Sequence, residues 1–158
     1  MQKLTLPFLN VKSPIPIVRF PLADGKCIYA IIDTGSDSTI YDKSVKDSYP
    51  ELFIKTKHIG KRQVIGVNET QEMDIYMSGM KLNVAQETED TIPFKFVAFE
   101  HVTFDSIMKP LVEQEGTIES VPLLIGSDTL IRYNAKIDMK KKAISFTIKK
   151  EIKKKKAA

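Results

Sequence analysis

The chain holds one cysteine, Cys27, and two histidines, His58 and His101. A single thiol forms no internal disulfide and cannot build a Cys-based metal site, which agrees with a reducing compartment. Its plain role is that of a small apolar strand residue. Each histidine lies among polar residues with neither metal-ligand nor triad spacing, so both read as loop or surface residues. No apolar run approaches the length of a membrane span. Lys3 to Val11 is broken by Pro7 and Asn10 and makes a poor signal-peptide core. These absences lead us to expect a cytoplasmic protein with no membrane span, no metal and no cofactor.

Charge of one sign is concentrated at one end. Lys149 to Lys156 holds six lysines against Glu151, or +5 of a formal total of +4, so the remainder stands near −1. A lysine cluster can grip nucleic acid or an acidic membrane surface. Here it lacks the aromatic or Arg interleaving that base recognition uses, and no specific nucleic-acid partner is expected. We read residues 149–158 as a solvated, flexible tail on a domain spanning 1–148. With 158 residues, 42% hydrophobic and 28% charged, the chain is long enough for one real core.

The pattern along the chain is that of strands. Leu4 to Leu9 and Ile15 to Phe20 are short apolar-rich segments that start and stop at prolines. An Asp24-Gly25 turn leads into Cys27 to Asp33, predicting a hairpin. Ile40 to Leu52 reads as a short helix or irregular excursion ending at Pro50. Ile59 to Gln71, with Gly60, Gly66 and an Asn68-Glu69 tip, predicts an exposed hairpin. Met73 to Met80 alternates, with an interruption predicted at Ser78-Gly79 before Lys81 to Val84. Pro93 to Phe99 is a further strand, and Glu100 to Val121 a short helix plus loop. Leu123 to Gly126 is a short apolar strand running into Ser127-Asp128-Thr129, which suits a helix start. Asn134 to Met139 and Ala143 to Ile148 close the chain as a hairpin. The two strands that end in glycine, Ile31 to Gly35 and Leu123 to Gly126, suggest approximate internal symmetry.

The chemistry gathers at Ile31-Ile32-Asp33-Thr34-Gly35-Ser36-Asp37-Ser38-Thr39. A carboxylate at the end of an apolar strand is costly unless hydrogen bonds hold its charge, and Thr34 and Ser36 are the residue types to supply them. The plain alternative is an Asx turn capping the strand. A haloacid-dehalogenase phosphatase would need a second Asp where Gly35 stands. An actin-like ATPase needs two large domains, for which the chain is too short. A serine hydrolase based on Ser36 would need a Gly-x-Ser-x-Gly elbow with a His partner, and Ser36 has no such context.

Acid–base hydrolysis by paired aspartates fits better. Ile31 to Asp37, the flap-like Val64-Ile65-Gly66-Val67-Asn68 and Leu124-Ile125-Gly126-Ser127-Asp128-Thr129-Leu130 occur in that order, and with them the sequence resembles the retropepsin-like (clan AA) single-domain aspartic proteases. The resemblance spans about Phe20 to Ile148. It implies an all-β, retropepsin-like closed β domain with one or two short helices, half of a pepsin-type bilobal architecture. It implies an aspartic endopeptidase in which Asp33, Thr34 and Gly35 are catalytic. Ser36 would bond the outer carboxylate oxygen, while Asp37, Ile65, Gly66, Val67 and Asn68 would contact substrate. Leu124, Ile125, Gly126 and Asp128 would support the site. The Arg that pairs with the Asp37 position in retroviral members is replaced by Ser127. One carboxylate cannot be both acid and base on a peptide bond, and Asp33 sits in the only Asp-Thr-Gly, so the second must come from another copy. The resemblance thus implies a homodimer acting on polypeptide, with Leu4 to Leu9 and Ala143 to Ile148 as candidates for pairing across its two-fold axis; the plain alternative is that these strands close one chain's own sheet. The alternative is a scaffold that keeps the fold and peptide groove without useful proteolysis.

Overall fold

The structure is a computed structural model and describes residues 1–9, 15–65, 70–88, 90–102, 104, 118 and 120–149, with the side chains of 64, 65, 70 and 71 left aside. Among the described residues ten strands alternate with little helix: β1 (Gln2–Pro7), β2 (Ile17–Pro21), β3 (Cys27–Ile32), β4 (Ile40–Asp42), α1 (Ser44–Ser48), a 3-10 turn (Pro50–Leu52), β5 (Phe53–Ile65), β6 (Thr70–Ala85), β7 (Thr91–His101), β8 (Leu123–Ile125), α2 (Ser127–Arg132), β9 (Lys136–Asp138) and β10 (Ala143–Ile148). One sheet runs β1-β10-β9 and the other β2-β3-β8-β4-β7-β6-β5. They meet through a single bridge at Phe8 with Val18, while a second bridge, Leu22 with Val84, ties the β2 end of the seven-stranded sheet back to β6, and no closed barrel forms among the described residues.

Alternation sets the faces. Leu4 and Leu6 of β1 lie opposite Phe146 and Ile144 of β10, all four buried, while Lys3 and Thr5 point outward or toward the rim. The main core centres on Phe94, whose ring stacks on Tyr133 at 4.7 Å between centroids and meets Phe146 edge-on at 4.9 Å and Phe20 at 5.5 Å. A second, smaller core contains Ile17, Ile31, Phe104, Ile118, Val121 and Leu124.

Those two cores explain the unbroken apolar runs. β3 and β8 pair in parallel, Ala30 with Leu123, Ile31 with Leu124 and Ile32 with Ile125. Ala30, Ile32, Leu123 and Ile125 face the main core, whereas Ile31 and Leu124 face the smaller one. Both strands are therefore covered on both sides, the usual condition of parallel strands. α2 ends with Asn134 at φ +46, where Asn134 N–H donates to Ile131 O and Ala135 N–H to Leu130 O, a left-handed cap that Asn tolerates.

Two segments depart from the pattern reading. Ile40 to Leu52 resolves into β4, α1 and the 3-10 turn. Ser78-Gly79 does not interrupt β6. Ser78 is fully buried but its hydroxyl bonds Tyr41 and Thr56, and a Cβ on Gly79 would meet nothing nearer than Ile54 at 4.0 Å, so the strand carries both residues at little cost. Of the two readings open for Leu4 to Leu9 and Ala143 to Ile148, the structure shows the plain one: they supply β1 and β10, which pair with each other within the chain, their apolar faces sharing the main core. The helix expected within Glu100 to Val121 lies largely outside the described residues.

Candidate functional site

β3 and β8 run side by side and end together, so the Asp33 turn and Gly126 emerge as neighbours. Asp33 N–H donates to Ile125 O at 3.0 Å, continuing the ladder one residue past the strand. The chain then turns sharply. Gly35 N–H donates to Asp33 Oδ1 at 2.9 Å and Ser36 N–H to Asp33 O at 3.2 Å. Asp33 is thus held as an Asx turn and is half-buried, while Thr34 and Gly35 are exposed. The strand cap and the candidate acid are the same feature, because a carboxylate fixed by a backbone N–H keeps a defined orientation at the surface.

Beyond the turn, residues 36–39 fold over the end of β8. Ser127 N–H donates to Ser36 O at 2.7 Å. Thr39, fully buried, donates its hydroxyl proton to Asp128 Oδ1 at 2.8 Å and accepts the Gly126 N–H at 3.2 Å. Its contact with Thr129 Oγ1 at 2.6 Å then requires Thr129 to donate, since Thr39 has one proton to give. Asp128 Oδ1 also accepts from Thr129 N–H at 2.7 Å, which anchors α2 to the same point. The two turns touch so closely that a Cβ on Gly126 would lie 2.3 Å from Ser38 O. Gly126 has φ −92 and ψ 179, open to any residue, so space alone demands glycine here.

Leu124, Ile125, Gly126 and Asp128 accordingly lie directly beneath or beside the Asp33 turn. Ser36 does not bond the Asp33 carboxylate. Its hydroxyl donates to Ser38 O at 2.8 Å, where it braces the loop that crosses Gly126. Asp37 is exposed. Ile65 lies at the end of β5, its backbone opposite Thr70 of β6, and Gly66, Val67 and Asn68 fall outside the described residues. Thr39 is the residue that sequence reading missed. Its only signal was its place at the end of a hydroxyl run, and its partners are nearly ninety positions away.

A cleft of about 380 Å³ opens beside Cys27, Tyr29, Val45, Tyr49 and Pro122, and another of about 580 Å³ beside Lys95, Arg132, Tyr133 and Lys149, and Asp33 lines neither. Thr34's hydroxyl makes no hydrogen bond among the described residues. No cluster of potential metal ligands occurs among the described residues, and none of their helices is long and apolar enough to cross a membrane.

No protein-family model and no curated protein matches the chain. Among solved structures, it is similar to a retropepsin-like aspartic protease from Rickettsia conorii, with 13% identity, TM-score 0.46 and coverage of 92% of this chain and 89% of that one. It is also similar to the retroviral protease-like domain of Ddi1 from Leishmania major, with 16% identity, TM-score 0.44 and coverage of 87% and 96%. In this chain an Asp-Thr-Gly turn and an Ile-Gly turn interlock at the ends of two parallel neighbouring strands, beside a long hairpin, in a mostly β fold.

Proposed function

We propose that the chain is an aspartic endopeptidase whose site is completed by a second copy. The observation that carries this reading is the Asp33 turn itself: a carboxylate oriented by the Gly35 N–H, braced from below by Gly126, and presented at the surface with the unbonded Thr34 hydroxyl beside it. A two-fold axis through this face would set one Asp33 against its mate and give Thr34 a partner across the axis. Two carboxylates that close cannot both ionise, so the pair would share a proton and titrate as a unit. The ionised member takes a proton from water as it attacks the peptide carbonyl, and the protonated member donates to the carbonyl oxygen. The reaction needs no covalent intermediate. The β5–β6 hairpin would cover the peptide and exclude water. Because β1 and β10 pair within the chain, strand pairing between copies would use an outer edge of the β1-β10-β9 sheet.

The test compares wild type with Asp33→Asn on unfolded casein from acidic to neutral pH, with pepstatin as a control. Asn keeps the turn's acceptor oxygen but cannot exchange the proton, so cleavage should fall by about 10²- to 10⁴-fold with the fold unchanged. Equal cleavage by both proteins, or none by either while both are dimeric, would sink the proteolytic reading and favour a peptide-binding scaffold.

A further inference from the structure

The β5–β6 hairpin has a built hinge. β6 is paired on its far side with β7 only from Met77, opposite Phe99, to Ala85, opposite Thr91. Among the described residues β5 pairs with β6 alone. From Tyr76 outward the hairpin is therefore a two-stranded ribbon that has left the sheet. Its register also slips there, between His58 and Gly60, and Gly60 adopts φ +149, a conformation that side-chain-bearing residues rarely take. A bulge with such a glycine, at the position where the third strand ends, is where bending meets least resistance.

A polar network occupies the same place. Lys46 of α1 puts its ammonium 2.8 Å from the carboxylate of Glu100 on β7, a side chain only 7% exposed. The same ammonium stands 4.8 Å from the centre of the Tyr76 ring on β6 and 5.9 Å from that of Tyr41 on β4. Tyr41, fully buried, shares a hydrogen bond of 2.8 Å with Ser78 on β6, and Ser78 one of 2.9 Å with Thr56 on β5. Tyr76 meets His58 edge-on at 5.3 Å, and His58 bonds Asp74 across the ribbon at 2.9 Å. One connected group thus joins α1, β4, β7 and both arms of the hairpin. Tyr41 follows Thr39, the pin of the Asp33 turn, by two residues, so the network is also tied to the candidate site.

Stability alone gives little reason for this arrangement. An ion pair with one side chain buried, as Glu100 is here beside a Lys46 that keeps 31% of its side chain exposed, seldom outperforms apolar residues of the same volume, but it holds its partners in one geometry. We propose that Lys46 and Glu100 are positioning residues, a latch at the hinge that fixes the angle of the β5–β6 hairpin relative to the Asp33 turn. Their effect on catalysis rests on the proteolytic reading, whereas their effect on the hairpin does not. Breaking the pair from one side would strand a buried charge, so the informative variant removes both charges, Lys46→Met with Glu100→Gln. Lys46→Arg serves as the conservative control.

Hydrogen–deuterium exchange on these proteins decides the matter. In the double variant, amides of residues 58–62 and 72–76 should exchange about tenfold faster, as loss of one charge-assisted tie implies, while those of residues 80–85 keep their wild-type rates. Lys46→Arg should retain protection. In peptide hydrolysis the double variant should raise KM several-fold at nearly unchanged kcat, because a hairpin that covers the substrate contributes binding common to ground and transition states. Unchanged exchange in the hairpin or equal acceleration through residues 80–85 would overturn the latch, and faster hairpin exchange without a change in KM would overturn its effect on catalysis. An inactive wild type would remove the catalytic role together with the proteolytic reading, and exchange would still decide whether the latch holds the hairpin.

Discussion

Gly126 and Thr39 are small residues with large consequences, because each fills a place where two backbones nearly touch. For Gly126→Ala the new methyl meets Ser38 O at 2.3 Å, and the obstacle is backbone rather than a side chain that can swing aside. A loss of about 3 kcal/mol, the upper end of overpacking, is expected from the urea midpoint. Thr39→Val keeps the shape but removes the acceptor of the Gly126 N–H and the donor to Asp128. It should cost about 1–3 kcal/mol, since a buried N–H is left without a partner. Neither residue touches the carboxylate, yet both fix where Asp33 points. The sequence showed the apolar approach to Asp33 and the glycine at 126, which are local patterns. For Thr39 it offered only a place at the end of a hydroxyl run, because a hydroxyl's buried partners on another element leave no periodicity.

Among the elements, the hairpin and α1 carry the least legible part of the fold. The alternation in Met73 to Met80 predicted a strand, but not that it would run unbroken through Ser78 and Gly79. The reason is the Tyr41–Ser78–Thr56 network, assembled from three strands. That network predicts an alkaline response. Burial pushes the Tyr41 phenol up from its usual 10.0, a shift that the Ser78 bond and Lys46 only partly oppose. Burial would lower Lys46, but its bond to Glu100 and the Tyr41 and Glu100 charges outweigh that and hold the ammonium above 10.5. Raised folded values mean that the folded state keeps its protons longer than the unfolded chain. The stabilisation is complete below the unfolded values and is lost as pH climbs through the folded ones. Tyr29 and Tyr49, raised chiefly by burial, act in the same sense. The melting temperature should therefore decline once pH passes 10.0, and more gently in the Lys46→Met, Glu100→Gln variant. An equal decline in both would show that the pair is not part of the response.

For the molecule as a whole, the proposed sharing of the Asp33 site between two copies would make concentration the controlling variable. If two copies complete the site, sedimentation velocity should resolve a monomer–dimer equilibrium, and activity per chain should fall on dilution through its midpoint. Excess Asp33→Asn chain should also inhibit wild type by drawing it into mixed dimers. Activity per chain that is independent of concentration in a monomeric sample would exclude a shared site. The amino-acid sequence by itself determined the all-β class, the Asp24-Gly25 hairpin, the two glycine-ended apolar strands and the place of Asp33, because alternation, turn chemistry and burial on both faces are written in neighbouring residues. Only the tertiary structure decided that β3 and β8 lie in parallel register, that β1 pairs with β10 in the same chain, that Ser36 braces its own loop, and that Lys46 meets Glu100 at the root of the hairpin. Those outcomes depend on which distant surfaces bury one another, and a side chain's partner across the core is set by packing rather than by its neighbours along the chain.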